Sequence, residues 1–335
     1  MRAAVQERYG PPHELLRLRE VPVPALGDRD VLVRVAAASV NPADWHLLRG
    51  EPRVARLQLG LRRPRATILG CDLAGRVERT GPGVTSLRPG DEVFGCSFMA
   101  GFGAFAELAA VPEERLVATP ANASLEQAAA VPLAGMTALQ ALRDRGGVGP
   151  GQSVLVIGAS GGVGTFAVQL AKWFGADVTA VCSGRNAELV ESLGADRIID
   201  HTRRDPLAGD RRYDLVLQVA GTASPSALRR LLVARGTLVA ISGDSQGRWI
   251  GPVGRSIRTL MLAPLVRERL VVFTVKPNAE DLRFLRDRVA AGDVTPAIER
   301  TYPLDEIAAA IRHVEEGHTR GKVVVVSQTA RPPAG

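Results

Sequence analysis

Ser153-Val-Leu-Val-Ile157-Gly158-Ala-Ser160-Gly161-Gly162-Val163-Gly164 decides the fold. Residues 154–157 are a continuous apolar run, suited to a strand buried on both faces. A helix is predicted over residues 162–174, where Val163, Phe166, Ala167, Leu170 and Phe174 recur at helical spacing. The turn between them is rich in glycine. Glycine permits a tight bend and lets the backbone approach a pyrophosphate, and the helix N-terminus adds free N–H groups and partial positive charge. A glycine triad alone is a weak signal, but strand, loop, helix and second strand in sequence make it specific. A turn kept for steric reasons, with no ligand, is the alternative.

Downstream, the pattern repeats. Residues 178–181, 197–199, 214–219 and 237–241 read as strands, with helices over 187–193 and 224–234. Strand and helix alternating at short range predict a parallel, doubly wound sheet. Upstream, residues 31–36 and 74–80 read as strands, and Pro22, Pro24, Gly81-Pro82-Gly83 and Pro89-Gly90-Asp91 punctuate them. A small barrel or rolled sheet is expected there. Residues 305–316 form an amphipathic helix and 322–326 a last strand.

The end of the second parallel strand indicates which dinucleotide fits. A carboxylate there would hold a ribose 2′-hydroxyl. This chain has Cys182-Ser183-Gly184-Arg185-Asn186, and no acid follows before Glu188. Ser183 can donate to a 2′-phosphate and Arg185 can pair with it, so NADP(H) is expected. Arg185 also reads as an ordinary surface arginine, one of 39 left when three lysines are taken from 42 basic residues.

Composition narrows the function classes. The chain has 335 residues, 46% hydrophobic and 23% charged, enough for two domains of ordinary globular type. No apolar stretch is long enough for a membrane span, and the first residues form no signal-peptide core. The three cysteines, Cys71, Cys96 and Cys182, lie far apart and predict neither a disulfide framework nor a thiolate zinc cage, so a cytoplasmic protein is expected. The net charge of +7 raises a nucleic-acid reading, weakened because 35 acids are interleaved with the arginines. One run, Arg53, Arg56, Arg62, Arg63 and Arg65, contains no acid. It is either a solvated loop or a basic rim for an anionic ligand. There is no nucleophile elbow, P-loop or H-E-x-x-H.

Taken in order, Ser39-Val-Asn41-Pro42-Ala-Asp44, Leu69-Gly-Cys71-Asp72-Leu-Ala-Gly75, Leu87-Arg-Pro-Gly90-Asp91-Glu-Val-Phe-Gly95, Phe102-Gly-Ala-Phe-Ala-Glu107, Leu133-Ala-Gly-Met-Thr137-Ala, the glycine loop, Leu193-Gly-Ala-Asp196 and Gly321-Lys322-Val-Val are informative together. The chain resembles the medium-chain dehydrogenase/reductase superfamily in its zinc-free, quinone oxidoreductase-like branch. That resemblance covers nearly the whole chain. It implies an α/β protein with a GroES-like catalytic domain over 1–122, a Rossmann NADP(H)-binding domain over 123–270, and a return segment over 271–335 completing the first.

The same resemblance implies site residues. Asn41, Asp44 and Trp45 would form the turn facing nicotinamide and substrate, with Asn41 donating to a substrate oxygen; plain turn chemistry is the alternative. Thr137 would meet the nicotinamide carboxamide, or else bond its own helix. Ser160, Gly161, Gly162, Val163 and Gly164 would carry the pyrophosphate, Ser183 and Arg185 the 2′-phosphate, and His201 the adenosine ribose. Val219, Gly243 and Lys322 complete the expected cofactor contacts.

In zinc-dependent relatives the metal ligands fall at segments reading Asn41, Cys71 and Pro132-Leu133 here. Only Cys71 survives as a soft ligand, and Cys96 stands alone in sequence, so no metal is expected. A residual set of Cys71, Asp44 and His46 is the alternative, with Cys71 as a small buried residue the simpler one. Without a metal, delivering hydride from NADPH to an electrophilic quinone or α,β-unsaturated carbonyl is the easier task. The expected protein is a soluble homodimer acting on a small molecule, with neither nucleic acid nor membrane as partner. A dinucleotide sensor or RNA-binding, crystallin-like protein without turnover is the competing class. Residues 246–266, with Trp249, Ile250, Met261 and Leu262, are expected to wall the acceptor pocket or a dimer contact rather than form one long helix; core packing of residues 260–266 is the alternative.

Overall fold

The computed structural model describes residues 1–241 and 251–327, without the side chains of residues 251–253 and 255. Gly243, Trp249 and Ile250 therefore lie outside the described residues. The chain divides into two units. One comprises Met1–Met136, Pro277–Gly292 and the chain from Pro296 onward; the other comprises Thr137–Lys276 and Asp293–Thr295.

The second unit is built on six parallel strands. Their spatial order is Arg197–Asp200, Asp177–Cys182, Ser153–Ile157, Tyr213–Gln218, Leu232–Ile241, Arg269–Phe273. The chain winds outward from Ser153–Ile157 in both directions. A topological switch point thus falls between Ser153–Ile157 and Tyr213–Gln218, where such sheets bind ligands at the strand C-termini. Leu155, Val216, Leu238 and Leu270 fill the interior. These strands read as continuous apolar runs because both faces of a parallel sheet are covered. The last strand, Arg269–Phe273, belongs to this sheet.

Two expectations change here. The helix expected over 224–234 is only Pro225–Leu228, followed by a tighter turn at Arg229–Leu231, and the next strand begins at Leu232. Leu232 pairs with Tyr213, then the register shifts so that Leu215 meets Thr237. The extra residues bulge through Arg235, at φ 68°, and Gly236. Sheet pairing has overridden a helical apolar spacing. Further on, Gly251–Leu262 forms a single helix. Pro252 stands in its first turn, where no N–H partner is needed.

The first unit is a branched, mostly antiparallel sheet. Its long strand Asp30–Val40 pairs along one edge with Asp72–Thr80. Its other edge is shared: residues 30–34 pair with Leu108–Pro112, and residues 37–40 with Lys322–Val326. Val31, Val33, Leu73, Phe105, Val323 and Val325 form its core with Ile307 and Ile311 of the helix Ile307–Glu315. Strands far apart in sequence, Asp30–Val40 and Lys322–Val326, therefore share one sheet, with Val323 paired to Val40.

Candidate functional site

In the second unit the glycine loop sits at the switch point. Gly158 adopts φ 85°, and a Cβ there would stand 2.6 Å from the Ala220 Cβ. Gly164 is pressed against the backbone, where a Cβ would lie 2.1 Å from the Gly158 carbonyl oxygen and 2.7 Å from Ala159. Gly161 differs. It caps the helix Gly162–Trp173 in extended geometry, and a Cβ would find only the Gly158 oxygen, 3.6 Å away. Gly161, Gly162 and Val163 are half-buried. The space before the helix N-terminus is open and faced by N–H groups that the helix itself cannot satisfy, which suits a pyrophosphate.

Neighbouring strands supply the rest of this cradle. Ser160 Oγ accepts from Asn186 Nδ2 at 2.9 Å, tying the loop to the turn that holds Ser183 and Arg185. Ser183 is half-buried and Arg185 exposed. His201 is exposed at the end of the adjoining strand, its N–H bonded to the Cys182 carbonyl. Val219 follows the strand across the switch point, its N–H donating to Ile157. Thr137 is buried on the helix Pro132–Gln140.

Sequence reading missed two residues here. Asn186 is one. The other is Asp200: although no acid follows the second strand closely in sequence, Asp200 lies beside Gly184, whose Cβ would stand 2.5 Å from Asp200 Oδ2. Its carboxyl is held below its ordinary value, first by the Thr202 hydroxyl and N–H. Strand pairing of Asp200 with Cys182 was the signal, and it exists only in the sheet.

In the first unit, polar side chains gather at the end of Asp30–Val40. Asn41 caps the helix Pro42–Arg49, with Pro42 at its first position. Asp44 Oδ2 accepts the Asn41 N–H at 2.8 Å and Oδ1 accepts the Gly70 N–H at 3.2 Å. Asp44 is fully buried; burial first, with the nearby Asp72 charge adding, pushes its carboxyl up to about 7 against the two N–H bonds. Asp72 Oδ2 accepts from Asn41 Nδ2 at 2.9 Å and Ser39 Oγ at 3.1 Å, and Oδ1 from the Leu133 N–H at 3.0 Å. Burial also raises Asp72, with Lys322 as the main opposing influence.

Lys322 is buried here, donating to Asn41 Oδ1 at 2.6 Å with its Nζ 3.9 Å from Asp72 Oδ2. The resemblance places it among the cofactor contacts; in this structure its ammonium serves this network. The Asn41 amide was expected to donate to a substrate oxygen, yet it points inward to Asp72. Trp45 is half-buried against the core and stacks on His46, ring centroids 3.5 Å apart. His46 Nδ1 lies 3.0 Å from the Glu51 carbonyl.

Cys96 does not stand alone in space. The donor atoms of Cys71, Asp72 and Cys96 lie within 4.8 Å of one another, all buried. The Cys71 thiol is pushed well up, first by its hydrogen bond with Cys96 and then by burial. This set does not fit a resident zinc ion. The carboxylate is already saturated by the N–H and O–H donors above, the Asn41 amide donates toward Cys71 Sγ at 3.6 Å, and the Lys322 ammonium would face the cation.

The family profile described as "Alcohol dehydrogenase GroES-like domain" matches residues 27–121, and that described as "Zinc-binding dehydrogenase" matches residues 193–325. A chloroplast envelope quinone oxidoreductase homolog from Arabidopsis thaliana is 34% identical over 97% of this chain and 98% of its own. An NADPH-dependent alkenal/one oxidoreductase of the same plant is 32% identical over 97% of this chain and 79% of its own. The structure of a quinone oxidoreductase from Coxiella burnetii superposes with a TM-score of 0.86 at 31% identity, over 97% of this chain and 99% of that one.

Proposed function

This chain belongs to the quinone oxidoreductase-like branch of the medium-chain dehydrogenase/reductase superfamily, and on that premise we propose an NADPH-dependent reductase of quinones or α,β-unsaturated carbonyls that works without a metal. The observation that carries the reading is the open, N–H-lined space before Gly161 at the switch point, flanked by the turn bearing Ser183 and Arg185. When bound, the nicotinamide supplies the hydride. The protein's own residues bind and orient. The loop Ser160–Gly164 receives the pyrophosphate, Ser183 and Arg185 the 2′-phosphate, and His201, Val219 and Thr137 border the remainder. Asp200 tempers the preference by placing a carboxylate beside Gly184.

In the first unit Asn41, Asp44, Asp72 and Lys322 hold the turn that presents Trp45. We assign Asn41 and Asp44 to positioning that turn, since their polar atoms are engaged inside the protein. An electrophilic acceptor needs no Lewis acid; a few hydrogen-bond donors meet its developing charge and water supplies the last proton. A homodimer is part of the reading, supported by an outer edge of Arg269–Phe273 that has no strand partner among the described residues. A cytoplasmic location is part of it too, supported by three free, buried cysteines that suit a reducing compartment.

The test is NADPH consumption, followed by loss of its near-ultraviolet absorbance, on a panel of small quinones and enones before and after chelator. Turnover indifferent to chelator supports the reading. No turnover on any acceptor, or an alcohol oxidation abolished by chelator, refutes it.

A further inference from the structure

Between Glu51 and the buried Asp72 the chain contains no acid. The segment 53–65 interleaves arginines with aliphatic residues that are not buried. Val54 is 48% exposed, and Leu57 and Leu61 are each 68% exposed. Arg53, Arg62, Arg63 and Arg65 are exposed with them. Among the described residues no acid pairs with Arg62, Arg63 or Arg65.

The segment is held in shape. Arg56 lies over the Tyr9 ring, 4.4 Å from guanidinium carbon to ring centroid, and donates to the Gly50 and Arg49 carbonyls. The Tyr9 hydroxyl donates to Gly60 at 2.7 Å. The Arg65 N–H closes on the Leu59 carbonyl at 2.9 Å, so Leu61, Arg62 and Arg63 occupy the tip of a closed loop. Arg56 fastens the segment, and Arg62, Arg63 and Arg65 are presented with the leucines.

A folded surface tolerates single exposed leucines, but aliphatics clustered among like charges need a partner that accepts both. A polynucleotide would meet the arginines and leave the leucines wet. Strand-binding surfaces stack bases on aromatic rings, and Tyr9, the ring beside this segment, is covered by Arg56. An anionic bilayer surface accepts both kinds of group: its phosphates and carboxylates pair with guanidinium groups, and the acyl boundary takes up leucine. We propose that the segment 53–65 docks this protein peripherally on an anionic lipid surface. No described helix is long and apolar enough to cross a membrane, so the protein would lie on the surface rather than span it. The sequence reading expects no membrane partner, and docking of this kind departs from it: the criterion applied there was the length of an apolar span, which a surface contact does not need.

The test is co-sedimentation of the full chain with vesicles of phosphatidylcholine alone or mixed in equal parts with phosphatidylserine. Binding is expected only to the mixed vesicles and falls at high salt. R62S/R63S should weaken it roughly thirtyfold, from the contribution of each arginine near an anionic surface. L57S/L61S should weaken it by about tenfold or more, through lost apolar burial. These side chains are exposed, so both double variants should melt like the parent. No binding to the mixed vesicles, binding unchanged in both variants, or RNA binding in place of vesicle binding overturns the proposal.

Discussion

Gly161 and Gly164 are both glycines of one loop, and the geometry assigns them different reasons. In Gly164→Ala the new Cβ stands 2.1 Å from the Gly158 oxygen and 2.7 Å from Ala159, all backbone atoms. Relief requires moving the helix Gly162–Trp173 off the strand it follows, an overpacking that costs about 1–3 kcal/mol or more. Alanine returns about 1 kcal/mol of helix propensity. With the clash at the upper end, the net loss is about 2 kcal/mol, which lowers Tm by about 4–8 °C for a unit of this size. In Gly161→Ala the nearest atom is 3.6 Å away and φ is −82°, open to any residue. Replacing a glycine cap by alanine costs under about 1 kcal/mol. Its Cβ instead enters the space read as pyrophosphate space, so NADPH affinity should fall at least tenfold, about 1.4 kcal/mol. Thermal melts of the free protein and fluorescence titration with NADPH separate the two effects. A Gly161→Ala protein that melts normally and binds NADPH like the parent refutes the placement of the pyrophosphate. A Gly164→Ala protein that melts normally refutes the packing argument.

Arg185→Glu should weaken NADPH binding by about 1.5–3 kcal/mol and leave NADH unchanged or tighter; equal losses by titration would deny Arg185 the phosphate. Asp200→Asn should shift the same titrations the other way, tightening NADPH relative to NADH. Asp44 is raised to about 7 from 3.8, so the native state binds its proton more tightly than the unfolded chain. Its stabilising effect is present in acid and is lost as pH rises through that window, by up to about 1.4 kcal/mol per pH unit. Urea unfolding of Asp44→Asn should lack that slope; an identical pH profile would show that Asp44 stays ionised. Lys322→Met should cost about 3–5 kcal/mol in the same assay, because it strands Asp72 and Asn41 Oδ1 in the interior. Adding Asp72→Asn should recover part of the loss, and additive losses would speak against the pair.

The parallel sheet, the glycine loop and the turn bearing Arg185 were legible in the sequence, because apolar periodicity and glycine placement report local backbone and burial. Residues 154–157 and 162–174 are read within one or two residues of their observed bounds. What sequence did not disclose depends on register and topology. Lys322 reaches Asn41 across 281 positions because the last strand pairs beside residues 37–40. Cys96 meets Cys71 because Asp72 pairs with Cys96 across two antiparallel strands. Asp200 faces Gly184 because its strand lies beside Asp177–Cys182. Residues 232–234 joined a strand despite helical apolar spacing, since the edge offered by Tyr213–Gln218 outweighs local preference. Sequence thus determined five of the six strands of the parallel sheet and the place of the glycine loop beside them. Only the tertiary structure decided which buried polar groups satisfy one another, because their partners come from chain segments that meet only when the sheets close.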